Sequence, residues 1–326
     1  MHRFSTRHLA PALLAIGASG SIVLQAVATQ PPTNPGGPPE PRPRTLGDEA
    51  ELIDMVEDAR AEFDDADGLL DALEEAGLEL ETFEAELTYV KINALAGDRQ
   101  TREGRLYLVN DESVFADDAE LDFQRGFSIV FTALDVGDRR DELNERYIFD
   151  GRWLIEINEN AKQFNATEVM PEGERIDPLR IGEGPFPVPI GQKKADILER
   201  FEAELLETED GLSAFGPGPR TLAERFGFAQ LRLVPRPGAA EEADFEEIRI
   251  WYDTRPGKAL LPIMVRVVDP EFDESLIVLG RRKLNEPLPR DVFDARLPGP
   301  DWARHISRLR ERRELEAGGR PDGDNR

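Results

Sequence analysis

The sequence predicts an α+β fold. It comprises a large, curved antiparallel sheet with one apolar face, a long helix laid on that face, and an apolar loop and helix inserted between two runs of strands. Three observations predict it. The hydrophobic period is helical over 48–76 and becomes two from residue 82 onward. The alternating segments are joined by short polar turns rather than by crossover helices, which makes neighbouring strands antiparallel. A stretch rich in proline and glycine, followed by an amphipathic helix, interrupts the strands at 176–211.

The first element is a long amphipathic helix. Leu52, Val56, Ala59, Phe63, Ala66, Leu70 and Leu73 recur at spacings of four and three, which keeps one stripe facing one way. The stripe is short and contains two alanines, so a helix on a sheet is favoured over a coiled coil. Asp64, Asp65 and Asp67 do not match the spacing of a calcium loop and read as a solvated face. From 82, TFEAELTYVK alternates Phe83, Ala85, Leu87 and Tyr89 against Glu84, Glu86 and Thr88. GRLYLV (104–109), FSIVFTAL (127–134) and FNATEV (164–169) continue the strands. Between them, YIFDGRWLIEINENAKQF carries Asp150-Gly151, a strong hairpin signal, with Tyr147 and Phe149 on one arm and Trp153, Ile155 and Ile157 on the other. Those side chains pack on a core or line a ligand cavity. KKADILERFEAELLETEDG reads as one helix stopped by Gly211. The strands 228–235, 245–253, 261–270 and 275–284 follow, giving about nine in all. A basic helix then begins at 303, with Arg304, Arg308, Arg310, Arg312 and Arg313.

Composition limits the chemistry. The chain has no cysteine, which excludes disulfides, thiol catalysis and a lipid-modified cysteine. Its histidines are His2, His8 and His305, so the strand region holds none, and His-based triads and zinc sites are excluded there. No cofactor or metal is expected. Paired carboxylates remain available, but no two of the 66 acidic residues are marked as buried together, and the chain is read as a non-enzyme. A formal charge of −26 disfavours nucleic acid and anionic surfaces.

The ends organise the rest. Residues 1–28 have a basic start, an interrupted apolar run and Ala26-Val27-Ala28 as a small-x-small site, the pattern of a cleaved secretory signal. Residues 29–45 are a proline- and glycine-rich tether, 46–302 one domain, and 303–326 the basic helix with a disordered tail. An exported chain without cysteine suits a bacterial periplasm.

Over roughly 70–302 the sequence resembles the outer-membrane lipoprotein carriers of the LolA/LolB-like superfamily. The likeness rests on three stretches in order. LLDALEEAGLELETFEAELTYVK is similar to the family's helix-to-strand opening. YIFDGRWLIEINENAKQF is similar to its Asp-Gly hairpin followed by an aromatic. VLGRRKLNEPLPRDVFDARLPGPDW is similar to its closing strand with Asn285, Pro287, Leu288, Phe293 and Pro298. The resemblance implies a half-open antiparallel β-barrel wrapped round a long N-terminal helix, with a loop-plus-helix lid. It implies an apolar cavity that carries lipoprotein acyl chains or lipid across the periplasm to the outer membrane. An inner-membrane release complex and an outer-membrane acceptor would be its partners, and the carrier would be a monomer. On this reading Leu87, Tyr89, Phe127, Phe131, Trp153, Ile155, Ile250 and Val265 line the cavity, and Phe186, Val188, Ile190, Leu198 and Phe201 belong to the lid. The alternative is a sensor or interaction module of the same fold in envelope-stress signalling.

Overall fold

The structure is a computed structural model, and it describes residues 63–77, 80–110, 114–115, 125–174, 193–238, 245–255 and 260–309. Helix α1 spans Ala66–Gly77. Strands β1 (Thr82–Ile92), β2 (Arg99–Val109), β3 (Gly126–Val136), β4 (Arg139–Phe149), β5 (Trp153–Asn158) and β6 (Gln163–Glu168) follow. Helix α2 (Lys194–Arg200) runs directly into β7 (Phe201–Leu206), and α3 spans Pro217–Phe226. The chain continues through β8 (Ala229–Pro235), β9 (Glu247–Tyr252), β10 (Pro262–Val268), β11 (Glu274–Leu284) and β12 (Ala303–Ser307).

All twelve strands form one open sheet in the order β12-β6-β5-β4-β3-β2-β1-β11-β10-β9-β8-β7. Every pairing is antiparallel except β12 on β6, which is parallel. Among the described residues the strand total exceeds the nine or so expected because β7 and β12 fall in stretches that read as helix, and several strands also run on into stretches whose polarity reads as turn. Arg139-Arg140-Asp141-Glu142 belongs to β4, for example, and only Gly137 and Asp138 turn the chain. A polar pair of strands projecting beyond the core keeps its ladder hydrogen bonds without needing apolar side chains.

The α1 face of the sheet is apolar. One cluster joins Leu69, Leu70 and Leu73 of α1 to side chains from β1–β5 and β7–β11. The Asp64-Asp65-Asp67 run has a structural role here. Asp65 Oδ1 accepts a hydrogen bond from the backbone N–H of Gly68 at 2.9 Å, satisfying one of the free donors at the start of α1. Of the helix expected over 48–76, the described part begins only at Ala66, residues 63–65 are not helical, and 48–62 lie outside the described residues. The opposite face carries two smaller clusters. Tyr107, Ile148, Ile155 and Phe164 pack with Leu288, Val292 and Phe293, and Val90, Trp251 and Met264 pack with Leu212, Phe215 and Ala223.

Register shifts recur at one level of the sheet. Pairing slips between Ala85 and Leu87 on β1, between Glu103 and Gly104 on β2, and between Phe131 and Ala133 on β3. Aligned bulges add twist and bend the bulged strands.

Four expectations are corrected. The 193–211 helix ends at Arg200, and Phe201–Leu206 is edge strand β7. Phe201, Ala203 and Leu205 alternate there with Glu202 and Glu204, a period of two hidden inside an apparently helical stretch. Helix α3 was not expected. Pro217 opens it and Gly227, at φ 55, closes it, the usual proline-in, glycine-out punctuation. The basic segment begins as strand β12, because the open edge of β6 offers it backbone partners from Gln163 to Thr167. Residues 310–326 lie outside the described residues.

The fourth correction concerns the Asp-Gly hairpin. Phe149 pairs with Leu154, so the loop residues are Gly151 and Arg152. Only Gly151 takes a positive φ, 86°, the pattern of a II′ turn. Asp150 Oδ1 instead accepts hydrogen bonds from the N–H groups of Arg152 (2.8 Å) and Trp153 (2.6 Å). A two-residue loop pairs odd with even positions. Tyr147 and Phe149 therefore share a face with Leu154, while Trp153, Ile155 and Ile157 share the other with Ile148.

Candidate lipid-binding face

Six of the eight expected cavity residues come together. Leu87, Tyr89, Phe127, Phe131, Ile250 and Val265 all belong to the α1-face cluster, and none is more than 3% exposed. Alternation along each strand puts them there, with Leu87 and Tyr89 on β1, Phe127 and Phe131 on β3, Ile250 on β9 and Val265 on β10. Aromatic rings link the strands. Tyr89 and Phe131 have centroids 6.4 Å apart, Phe131 and Tyr147 meet edge to face at 5.9 Å, and Phe127 and Phe149 are 5.6 Å apart. Trp153 and Ile155 are not part of this group. They lie on the opposite face, with the cluster of Leu288, Val292 and Phe293.

Of the expected lid residues, Leu198 packs at the margin of the α1-face cluster from α2. Phe201 is buried in the cluster at the start of β7 and stacks on Phe245, with ring centroids 5.8 Å apart. Phe186, Val188 and Ile190 lie outside the described residues. Helix α2 is fastened to α1. The Lys194 N–H donates to Glu74 Oε2 at 3.0 Å, and the Lys194 ammonium lies 3.0 Å from Asp71 and 3.3 Å from Asp67. Its last carbonyls are also satisfied, since Arg236 Nε donates to the carbonyls of Leu198 and Phe201.

Polar groups enter the same face along a diagonal that the sequence reading missed. Tyr89 Oη is 3.0 Å from Ser275 Oγ. Arg102, opposite Tyr89 in the ladder, sits over the Phe131 ring at 5.7 Å and reaches Glu145, with Nη1 to Oε2 at 3.4 Å. Asn158 Nδ2 donates to the other Glu145 oxygen at 2.9 Å. Glu156 stands opposite Tyr147, and burial raises its carboxyl above the ordinary range. Burial likewise pushes the Tyr147 hydroxyl well up. The odd–even pairing of the hairpin was the available signal: Glu145, Tyr147 and Phe149 alternate on one side of β4 and face Leu154, Glu156 and Asn158.

A concavity of about 400 Å³ lies where the strands slip register and is lined by Glu86, Thr88, Glu103, Arg105, Tyr107 and Thr132 among others. Its walls are mostly charged or hydroxylic, which suits a hydrated ligand and not an acyl chain. Among the described residues, no helix is long and apolar enough to cross a membrane.

No family model and no curated protein matches the chain. Several solved structures are similar to it at low identity. An uncharacterised conserved protein from Thermus thermophilus is 11% identical, with a TM-score of 0.35 over 74% of this chain and 96% of its own. A LolA superfamily protein from Nitrosomonas europaea is 11% identical, with a TM-score of 0.30 over 70% of this chain and 96% of its own. The lipoprotein LppX of Mycobacterium tuberculosis is 10% identical, with a TM-score of 0.35 over 69% of this chain and 98% of its own.

Proposed function

We propose that this chain is a periplasmic lipid-binding module that takes acyl chains of lipid or lipoprotein on the α1 face and carries them toward the outer membrane. One observation carries the reading: a single apolar surface runs across ten strands of one open sheet, and among the described residues it is covered by α1 and α2. Each methylene moved from water onto such a surface contributes about 0.8 kcal/mol, so a single acyl chain supplies ample affinity. Leu69, Leu70 and Leu73 already occupy this surface, so binding exchanges part of the helix–sheet contact for ligand. A carrier that must also release its load needs two states separated by only a few kcal/mol, and such an exchange provides that. Phe186, Val188 and Ile190, in the proline-rich stretch before α2, are proposed to complete the lid with Leu198 and Phe201. The lipoprotein-carrier resemblance of the sequence points to the same class of cargo.

Native mass spectrometry of the protein purified from its host envelope tests the reading. A co-purifying lipid or lipopeptide is expected. Protein that arrives bare, and binds no fluorescent fatty acid in solution, would overturn it. Capture of a protein partner without lipid would favour the sensor alternative.

A further inference from the structure

The α1 face is not uniformly apolar. Ser275, Tyr89, Arg102, Glu145, Tyr147 and Glu156 form a diagonal belt from β11 across β1, β2 and β4 to β5. At its centre the Arg102–Glu145 pair is incompletely satisfied. Arg102 Nη1 and Glu145 Oε2 are 3.4 Å apart, both atoms are buried, and neither has a hydrogen-bond partner among the described residues. The side chains as a whole are 12% and 15% exposed, while the two facing atoms are withdrawn from water. A buried ion pair of this kind contributes little unless further hydrogen bonds complete it. Free capacity on both members is the signature of a site built for something that brings an acceptor and a donor together.

Resting on the acyl-binding reading above, we propose that Arg102 and Glu145 form the headgroup subsite, and that the ligand is an amphiphile with a zwitterionic head of the phosphoethanolamine type. Its phosphate faces the Arg102 guanidinium, whose planar fork suits phosphate oxygens. Its ammonium faces Glu145 Oε2. Two carbons join phosphate and ammonium, a separation that matches two protein atoms only 3.4 Å apart. The pair is neutral overall, so a neutral zwitterion leaves no uncompensated charge in the site, whereas a purely anionic head meets the Glu145 carboxylate. The acyl chain then runs from the belt over Phe131 and Phe127 toward α1. Glu156, whose carboxyl burial raises above the ordinary range, borders the site.

The test is displacement of dansyl-undecanoic acid from the protein by three single-chain lipids of equal acyl length: lysophosphatidylethanolamine, lysophosphatidylglycerol and monoacylglycerol. Wild-type protein is expected to bind the zwitterion about tenfold more tightly than either of the others, a difference of about 1.4 kcal/mol. Arg102→Gln and Glu145→Gln are each expected to abolish that preference. Breaking a buried pair on one side can unfold a protein, so the double variant Arg102→Met/Glu145→Leu is measured alongside. Replacing both charges by apolar groups preserves folding in many such pairs. Its thermal transition is expected to match wild type, and it should bind all three lipids alike. Equal binding of the three lipids by wild type, a preference for the anionic head, or a zwitterion preference that survives the double variant would each overturn the headgroup assignment while acyl binding stands. Failure to bind dansyl-undecanoic acid at all would overturn both proposals.

Discussion

Gly104 on β2 lies directly against Val130 on β3: a β-carbon built on Gly104 would sit 2.1 Å from the Val130 carbonyl oxygen and 2.9 Å from the Phe131 Cα. The contact occurs where β2 and β3 slip register, so the bulge and the glycine are one feature. The neighbouring atoms are backbone and cannot rotate away. Gly104→Ala is therefore expected to destabilise the protein by about 3 kcal/mol or more. Gly218→Ala is the control. It lies in the first turn of α3 with nothing within 4 Å of the added carbon, and it should leave stability unchanged or raise it by up to about 1 kcal/mol. Urea unfolding of the two variants separates them. A Gly104→Ala protein as stable as wild type would mean that the strands repack freely at the bulge.

Tyr252 is fully buried in the α1-face cluster, and its hydroxyl has no hydrogen-bond partner among the described residues. An orphan buried hydroxyl costs about 1–3 kcal/mol in desolvation. Tyr252→Phe removes that cost without changing the ring, so it is expected to keep or raise the melting temperature. Tyr89→Phe should behave in the opposite way, since it deletes the 3.0 Å bond to Ser275 and leaves a buried serine short of that partner. A loss of more than about 1 kcal/mol in Tyr252→Phe would show that the hydroxyl is satisfied, by water for instance.

Glu247 provides the clearest pH handle. Burial alone would raise its carboxyl, but hydrogen bonds from Arg249 and Arg232, both at 2.6 Å, outweigh that and bring it from 4.5 down to about 2. Arg266 adds a third contact at 2.8 Å. A carboxyl that is more acidic in the folded chain stabilises the fold above its unfolded value, and that contribution fades as pH falls from about 4.5 through 2. Allowing for solvent screening, the contribution is on the order of 2 kcal/mol. Glu247→Gln should lose about that much at pH 7 and close the gap to wild type near pH 2. Chemical denaturation across pH 2–7 measures it, and a gap independent of pH would refute the assignment.

Much of the sheet was legible because its strands alternate cleanly. Phe83, Ala85, Leu87 and Tyr89 could be assigned one face from β1 alone, and the structure keeps them together. Sequence reading faltered where two periods fit the same residues. Ile197, Leu198, Phe201 and Leu205 satisfy a helical stripe, yet Phe201 and Leu205 also satisfy strand alternation, and pairing with β8 decides in favour of the strand. It faltered again where a face depends on a partner strand. The alternation of β5 is plain, but which side is inward follows from the two-residue loop before it. The Arg102–Glu145 pair was illegible for a third reason. Charged residues on alternating strands read as solvated, and only the folded sheet shows these two turned toward the apolar face.

Trp153 and Phe131 provide the discriminating pair for the acyl-binding reading. Both are aromatic residues on neighbouring parts of the same sheet, but they project from opposite faces. Trp153 packs with the cluster of Leu288, Val292 and Phe293, and its ring is also covered by the Arg152 guanidinium at 5.7 Å. Trp153→Ala should cost about 2–3 kcal/mol of stability through lost packing. It should leave the affinity for dansyl-undecanoic acid within twofold of wild type, because nothing on the α1 face has changed. Phe131 is fully buried on that face, between Tyr89 and Tyr147. Phe131→Leu keeps an apolar side chain of similar bulk, so the fold should survive at a cost near 1 kcal/mol. It removes the ring that ties the aromatic series together, and the same affinity should fall about threefold or more, a change near 0.7 kcal/mol. The contrast is between faces, so differences in overall stability do not confound it. If Trp153→Ala weakens probe binding and Phe131→Leu does not, the acyl chain binds the opposite face, and the α1 face is core.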